Sequence, residues 1–155
     1  MYNRNVKHTN ALNIETVLAF ITTSFLYLLT GIVILMGDIL FNIGIRRDAI
    51  FIMWLFGFVS MIVFGLSYMF VSGFTRNKAF MNKTMKYEYL LLNIGVITFF
   101  GGFADIVGSS LSIEFAGTGL ILLMIAIILH ILNLAYSALS GNQNTVRARN
   151  FSDEQ

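Results

Sequence analysis

The chain has 155 residues, of which 57% are hydrophobic and only 12% are charged. A soluble domain of ordinary composition carries about 25% charged residues, so the sequence argues against a soluble globular protein. Cysteine and proline are both absent, which excludes disulfides, thiolate metal sites and proline-kinked helices. The net charge of +2 comes from residues concentrated between the apolar stretches, a distribution that does not favour nucleic acid as a partner.

Four apolar runs are each long enough to cross the roughly 30 Å hydrocarbon core of a bilayer as a helix. The predicted spans are residues 17–36, 49–71, 87–107 and 116–136. Short polar connections separate them, which favours antiparallel neighbours. The sequence therefore predicts an all-α fold, an integral membrane antiparallel four-helix bundle over residues 1–139. A polar tail without apolar periodicity follows over residues 140–155.

The basic residues near the span ends predict the orientation of the bundle. Eight of them fall in the amino-terminal tail, the second loop and the carboxy-terminal tail, and only two fall in the other loops: Arg4, Lys7, Arg76, Lys78, Lys83, Lys86, Arg147 and Arg149 against Arg46 and Arg47. The positive-inside rule then places both termini in the cytoplasm of a multi-pass protein of the cell membrane.

Each predicted span carries a stripe of small or weakly polar residues at helical spacing. Such stripes let helix backbones approach one another closely in lipid. The glycines expected to pack helices together are Gly57, Gly65, Gly95, Gly102 and Gly119.

His130 is the only histidine inside a predicted span. At hydrocarbon depth a neutral imidazole can relay protons or ligate haem or a metal, and an ionisable residue there is a hypothesis of function. The alternative is a structural imidazole bonded to Asn133, Asn93 or Tyr68, all predicted in the same half of the bundle. We expect no second histidine, cysteine or carboxylate at comparable depth, so neither a metal site nor a catalytic centre is predicted.

Asp105 is the other candidate functional residue, near the outer end of the third predicted span. A carboxylate there could admit protons or cations. Alternatively it could reach water or pair with Arg46 or Arg47 across the outer face.

The segment 55–68, which reads LFGFVSMIVFGLSY, is followed by FTR at 74–76 and by Asn93-Ile94-Gly95. It resembles the haem-copper oxidase subunit I-like proteins and their small four-helix relatives. In that group histidines that ligate haem or metal precede the Leu-Phe-Gly-Phe unit and follow the tyrosine. Here residues 49–54 contain no histidine and Met69 follows Tyr68. The resemblance therefore implies a member that kept the bundle and lost its metallocentre.

Three functions follow as expectations. The first is a non-enzymatic subunit or accessory protein of a membrane complex, respiratory if the resemblance reflects kinship, in contact with lipid and with other membrane subunits or a second copy. The second is a small transporter or proton-conducting protein that uses His130 or Asp105. The third is a b-type haem electron carrier with His130 as an axial ligand, although no cofactor is required by the first two.

Overall fold

The computed structural model describes residues 13–72, 78–104 and 111–152. Every regular element in those residues is a helix. We number them α1 (Ile14–Phe41), α2 (Arg47–Ser72), α3 (Lys78–Phe103) and α4 (Ser112–Ser152). The prediction of an all-helical fold is confirmed for this part of the chain.

Asparagine residues define both ends of α1. The side chain of Asn13 accepts a hydrogen bond from the backbone N–H of Thr16, as an N-cap does. At the other end Asn42 adopts a left-handed conformation with φ 51°, and its backbone N–H donates to the carbonyl of Asp38. The Asp38 carboxylate also accepts from the backbone N–H of Gly44 at 3.0 Å. These bonds fix the short reversal between α1 and α2.

A π-helical segment, Met53–Val59, interrupts α2. The wider turn brings the backbone N–H of Ser60 to the carbonyl of Leu55, and the Ser60 hydroxyl donates to the same carbonyl at 3.1 Å. π-Helical turns of this kind are rare within α-helices. This one lies on the part of α2 that packs against α1.

Three helical stretches in the described residues are long and apolar enough to cross a membrane: α1, α2 and the Ser112–Ser137 part of α4. The third predicted span, 87–107, does not reach that standard within α3. Lysines, Glu88 and Asn93 lower the mean hydropathy of this helix, and residues 105–107 lie outside the described residues. Helix α4 also extends beyond its predicted end at 136 and reaches Ser152, since no proline stops it.

The contacts between helices show the relative direction of each pair. As residue numbers rise along α1 they fall along α2, because Phe20 packs on Gly65 and Tyr27 on Gly57. The same reversal relates α3 to α4, where Gly95 faces Leu123. In contrast, numbers rise together between α1 and α3 and between α2 and α4.

Side chains from all four helices meet in the interior. The fully buried apolar residues include Phe20, Met61, Met81, Met85, Leu92, Leu123 and Ala126. The outward faces are also apolar, with Leu29, Phe70 and Ile131 more than half exposed. A chain that is apolar both inside and outside has the surface expected of a protein in lipid.

Candidate functional site

Five polar side chains from three helices meet in the interior, and we call them the His130 cluster: Ser67, Tyr68, Glu88, His130 and Asn133. Helix α2 contributes the serine and tyrosine, α3 the glutamate, and α4 the histidine and asparagine. Tyr68 and Glu88 are 0% exposed, Asn133 is 2% exposed and His130 is 5% exposed. These four side chains are therefore enclosed by protein, whereas Ser67 is half-buried.

The carboxylate of Glu88 lies at the centre of the cluster. Its Oε2 atom accepts a hydrogen bond from the Tyr68 hydroxyl and lies 2.9 Å from Nδ1 of His130. Its Oε1 atom accepts from Nδ2 of Asn133 at 3.2 Å. The same Nδ2 group donates to the Tyr68 oxygen at 2.8 Å. Three groups that can donate thus surround one carboxylate, an arrangement that compensates for the water it has lost.

Both ring nitrogens of His130 have partners. Nδ1 lies against Glu88, and Nε2 lies 2.9 Å from the hydroxyl oxygen of Ser67. The ring of Phe64 stacks on the imidazole, with centroids 3.7 Å apart and planes 8° from parallel. Tyr68 meets the imidazole edge-on, at 5.1 Å and 83°. Contacts in the ring plane and on its face therefore fix the orientation of the imidazole.

The expectation that no carboxylate lies at the depth of His130 was wrong. Glu88 is the second residue of the predicted third span, 87–107. Helix α3 instead begins at Lys78, so Glu88 lies ten residues inside it. A signal was present in the sequence: Met81, Met85, Glu88 and Leu92 recur at intervals of four, three and four, which places the glutamate on the apolar face.

The structure brings Tyr68, His130 and Asn133 together, but Asn93 lies elsewhere. Its Oδ1 atom accepts from the Tyr27 hydroxyl at 3.0 Å, and its Nδ2 group donates to the carbonyl of Tyr89 at 2.8 Å. Nearby, the hydroxyls of Thr23 and Tyr89 are 2.7 Å apart. Asn93 therefore belongs to a separate set of polar contacts between α1 and α3.

Asp105 lies outside the described residues. Its two predicted partners have other contacts: Arg47 Nε is 3.9 Å from the Asp38 carboxylate, and the Arg46 guanidinium lies 4.6 Å from the ring centroid of Phe103. Both arginines are exposed at the end of the bundle opposite the His130 cluster.

The five predicted packing glycines all face another helix. A methyl group on Gly102 would overlap the backbone nitrogen of Ala116, and one on Gly119 would overlap the backbone of Phe99. On Gly57 it would lie 2.6 Å from Cγ of Tyr27. Gly65 and Gly95 leave slightly more room, with nearest atoms at 3.2 Å and 3.0 Å. An additional glycine, Gly31, lies beneath the Trp54 ring, and sequence reasoning did not select it.

The cluster places a carboxyl group, an imidazole, a phenol, a hydroxyl and an amide in mutual contact. Among the described residues no group of three or more histidine, cysteine, aspartate or glutamate residues could hold a metal ion. A haem iron at His130 would have to displace Ser67 or Glu88 from a ring nitrogen. Comparison of the chain with protein-family models, curated proteins and solved structures finds no match.

Proposed function

We propose that the protein is a multi-pass membrane protein that folds as an antiparallel four-helix bundle and acts as a non-enzymatic subunit or accessory protein of a membrane complex. Three helical stretches long and apolar enough to span, with large apolar side chains on their outer faces, support the membrane assignment. The register of the helix contacts supports the antiparallel arrangement.

The observation that carries the non-enzymatic role is the way the His130 cluster bonds to itself. Each nitrogen of His130 and each carboxylate oxygen of Glu88 already has a partner within the protein. Groups committed in this way hold three helices together and are not presented to a substrate. The bundle then offers its surroundings apolar helix faces, which suit lipid and neighbouring membrane helices.

The less apolar helix α3 is compatible with this arrangement. Glu88 is covered by the other helices, while Lys83 and Lys86 are exposed near the beginning of α3. Long lysine side chains at a helix end can extend to the membrane surface. The lysines then lie on the cytoplasmic side, with both termini, as the charge distribution predicts.

The proposal that this complex is respiratory rests only on the sequence resemblance to the oxidase subunit I-like proteins. In the fold, Tyr68 of the resembling segment donates to Glu88. Met69, at the position where that group has a histidine, is more than half exposed on the outer face. In this proposal the helices bond to one another where the oxidase subunit I-like proteins would hold a metallocentre.

A proton-conducting protein is the second candidate, because Glu88 and His130 are two titratable groups in direct contact inside the bundle. Paired ionisable residues at such depth are typical of proton pathways. Proton flux into liposomes that contain the purified protein separates the candidates. The subunit role predicts flux no greater than that of empty liposomes, whereas flux abolished by Glu88→Gln would establish the second candidate.

Two experiments test the leading proposal. Reporter fusions after Lys78 and after Gln155 should report cytoplasm, and a fusion near Ser110 should report the exterior. A cytoplasmic report at Ser110 would contradict the four-span bundle.

Purification in mild detergent, followed by mass spectrometry, should recover defined membrane subunits or a second copy in fixed stoichiometry. A strictly monomeric protein with no stoichiometric partner would overturn the subunit role. A Soret absorbance band would instead support the haem carrier.

A further inference from the structure

We infer that a cavity beside Asn133 binds one phospholipid whose head group carries an ammonium donor, as phosphatidylethanolamine does. The ammonium group donates to Oδ1 of Asn133, and the lipid phosphate lies towards the cation of Lys83. This inference rests on the proposed membrane location and goes beyond the subunit role, which requires no bound lipid.

The cavity lies between α3 and α4, at the end of the bundle that holds the His130 cluster. It has a volume of about 340 Å³, and its walls are formed by Thr84, Leu129, Leu132, Asn133 and Tyr136. Leu132 and Tyr136 are more than half exposed on the outer face. The cavity is therefore bordered by side chains that face the surroundings of the bundle, and most of its wall is apolar.

Asn133 supplies an unpaired acceptor at this cavity. Its Nδ2 group donates to the Tyr68 oxygen at 2.8 Å and to Oε1 of Glu88 at 3.2 Å. Its Oδ1 atom is buried without a hydrogen-bond partner among the described residues, on a side chain that is only 2% exposed. A buried acceptor without a donor is unfavourable, so a ligand that donates at this point gains a bond that the protein does not make itself.

The number of available hydrogens decides which way the amide is turned. Three contacts join the amide to Tyr68, the amide to Glu88, and Tyr68 to Glu88. With Nδ2 towards the cluster, its two hydrogens and the tyrosine hydrogen supply one donor for each contact. With the amide reversed, oxygen would meet oxygen at all three contacts, and the tyrosine and a protonated glutamic acid would supply at most two hydrogens. The orientation is therefore the same in either protonation state of Glu88, and Oδ1 is the atom left for the cavity.

The position of the cavity along the bundle suits a lipid head group. Asn133 lies three residues before the predicted end of the fourth span at 136, about 5 Å along the helix axis. Lys83, which precedes Thr84 of the cavity wall, is exposed at the same end and offers a cation to a phosphate. A charged donor forms a stronger bond to the amide oxygen than a neutral hydroxyl does. An acceptor and a cation side by side therefore complement a zwitterionic head group with N–H donors.

The test compares phospholipids of equal net charge that differ in their head-group donors. The protein is kept in alkylphosphocholine micelles, whose head group has no O–H or N–H, and phosphatidylethanolamine, its N,N-dimethyl derivative or phosphatidylcholine is added, all with the same chains. The rise of the thermal unfolding midpoint with lipid concentration measures the affinity. The first two lipids retain an N–H and should bind roughly two- to tenfold more tightly than phosphatidylcholine, the equivalent of one hydrogen bond.

Three results of this comparison would overturn the inference. Equal affinity for the three lipids would show that a water molecule, or nothing, meets the Asn133 oxygen. Affinity lost already in the dimethyl derivative would show that a single N–H donor is not what the site selects. Tighter binding of phosphatidylglycerol than of phosphatidylethanolamine would assign the site to a hydroxyl or to net negative charge. Reporter fusions test the membrane location separately, so these results would leave that proposal standing.

A matched pair of variants assigns the lipid preference to this cavity. Leu132→Trp places a larger side chain in the cavity wall and should remove the preference for phosphatidylethanolamine over phosphatidylcholine. Ile131→Trp is the control, because Ile131 is 60% exposed against 59% for Leu132 and does not line the cavity. Neither residue belongs to the His130 cluster, so both variants should fold. A preference that survives in Leu132→Trp, or that is lost equally in both variants, would refute the site.

Discussion

The two ends of the bundle are held together by different means. At one end the His130 cluster joins α2, α3 and α4 through polar side chains that bond to one another. At the other end, which we call the glycine-packed end, Gly31 receives the Trp54 ring, and Gly102 and Gly119 receive the backbone of a neighbouring helix.

The two ends also differ in which of their buried polar atoms have hydrogen-bond partners. Among the buried side-chain nitrogen and oxygen atoms of the His130 cluster, only Asn133 Oδ1 has no hydrogen-bond partner in the described residues. At the glycine-packed end the indole nitrogen of Trp54 is buried with no hydrogen-bond partner among the described residues. Close packing there outweighs the cost of one unpaired donor. The comparison shows two ways to associate helices: dispersion over a close contact, or hydrogen bonds across the interface.

The largest effect is expected from Glu88→Leu. The substitution leaves the Tyr68 hydroxyl, the Asn133 amide and the imidazole without their common partner, and each buried polar group left unsatisfied costs about 1–3 kcal/mol. Unfolding of the purified protein in mixed detergent measures the loss. Glu114→Leu removes an exposed carboxylate from the first turn of α4 and should cost under about 1 kcal/mol. Equal losses would show that the His130 cluster does not hold the helices together.

A smaller effect is expected from Gly119→Ala at the glycine-packed end. The added methyl group overlaps the backbone of Phe99, which forces α3 and α4 apart at a cost of about 1–3 kcal/mol. Gly117, two residues earlier on α4, has no atom within 4 Å of an added methyl group. Gly117→Ala should therefore be neutral or stabilise by up to about 1 kcal/mol through helix propensity. Thermal unfolding in one detergent compares the two variants. Equal tolerance would mean that α3 and α4 do not pack through Gly119.

The smallest effect is expected from Tyr27→Phe, which removes one bond to the neutral side chain of Asn93 and should cost about 0.5–1.5 kcal/mol. Tyr68→Phe is its matched partner, because it removes a tyrosine hydroxyl that donates to the Glu88 carboxylate. The Tyr68 oxygen also accepts from Asn133, so this variant loses two bonds and should be the less stable of the two. The same unfolding measurement applies to both, and equal costs would argue that the Tyr68 hydroxyl contributes no more to stability than that of Tyr27.

The sequence by itself determined the helices. Long runs of apolar residues and the absence of proline fix α1, α2 and α4, because backbone hydrogen bonds within a helix and apolar side chains around it are local properties of the chain. The packing glycines could also be predicted from the sequence, since helical spacing places the small residues of a span on one face whatever they contact.

Only the tertiary structure decided which polar groups meet. Glu88 and His130 are 42 residues apart, and their contact depends on the register between α3 and α4. Asn93 lies five residues from Glu88, which turns it towards Tyr27 and away from His130. A rotation of about 100° per residue separates neighbours on one helix, so position along the helices could place these residues at similar levels but could not select the partners. The pairing of the polar groups is therefore a property of the packing of the helices.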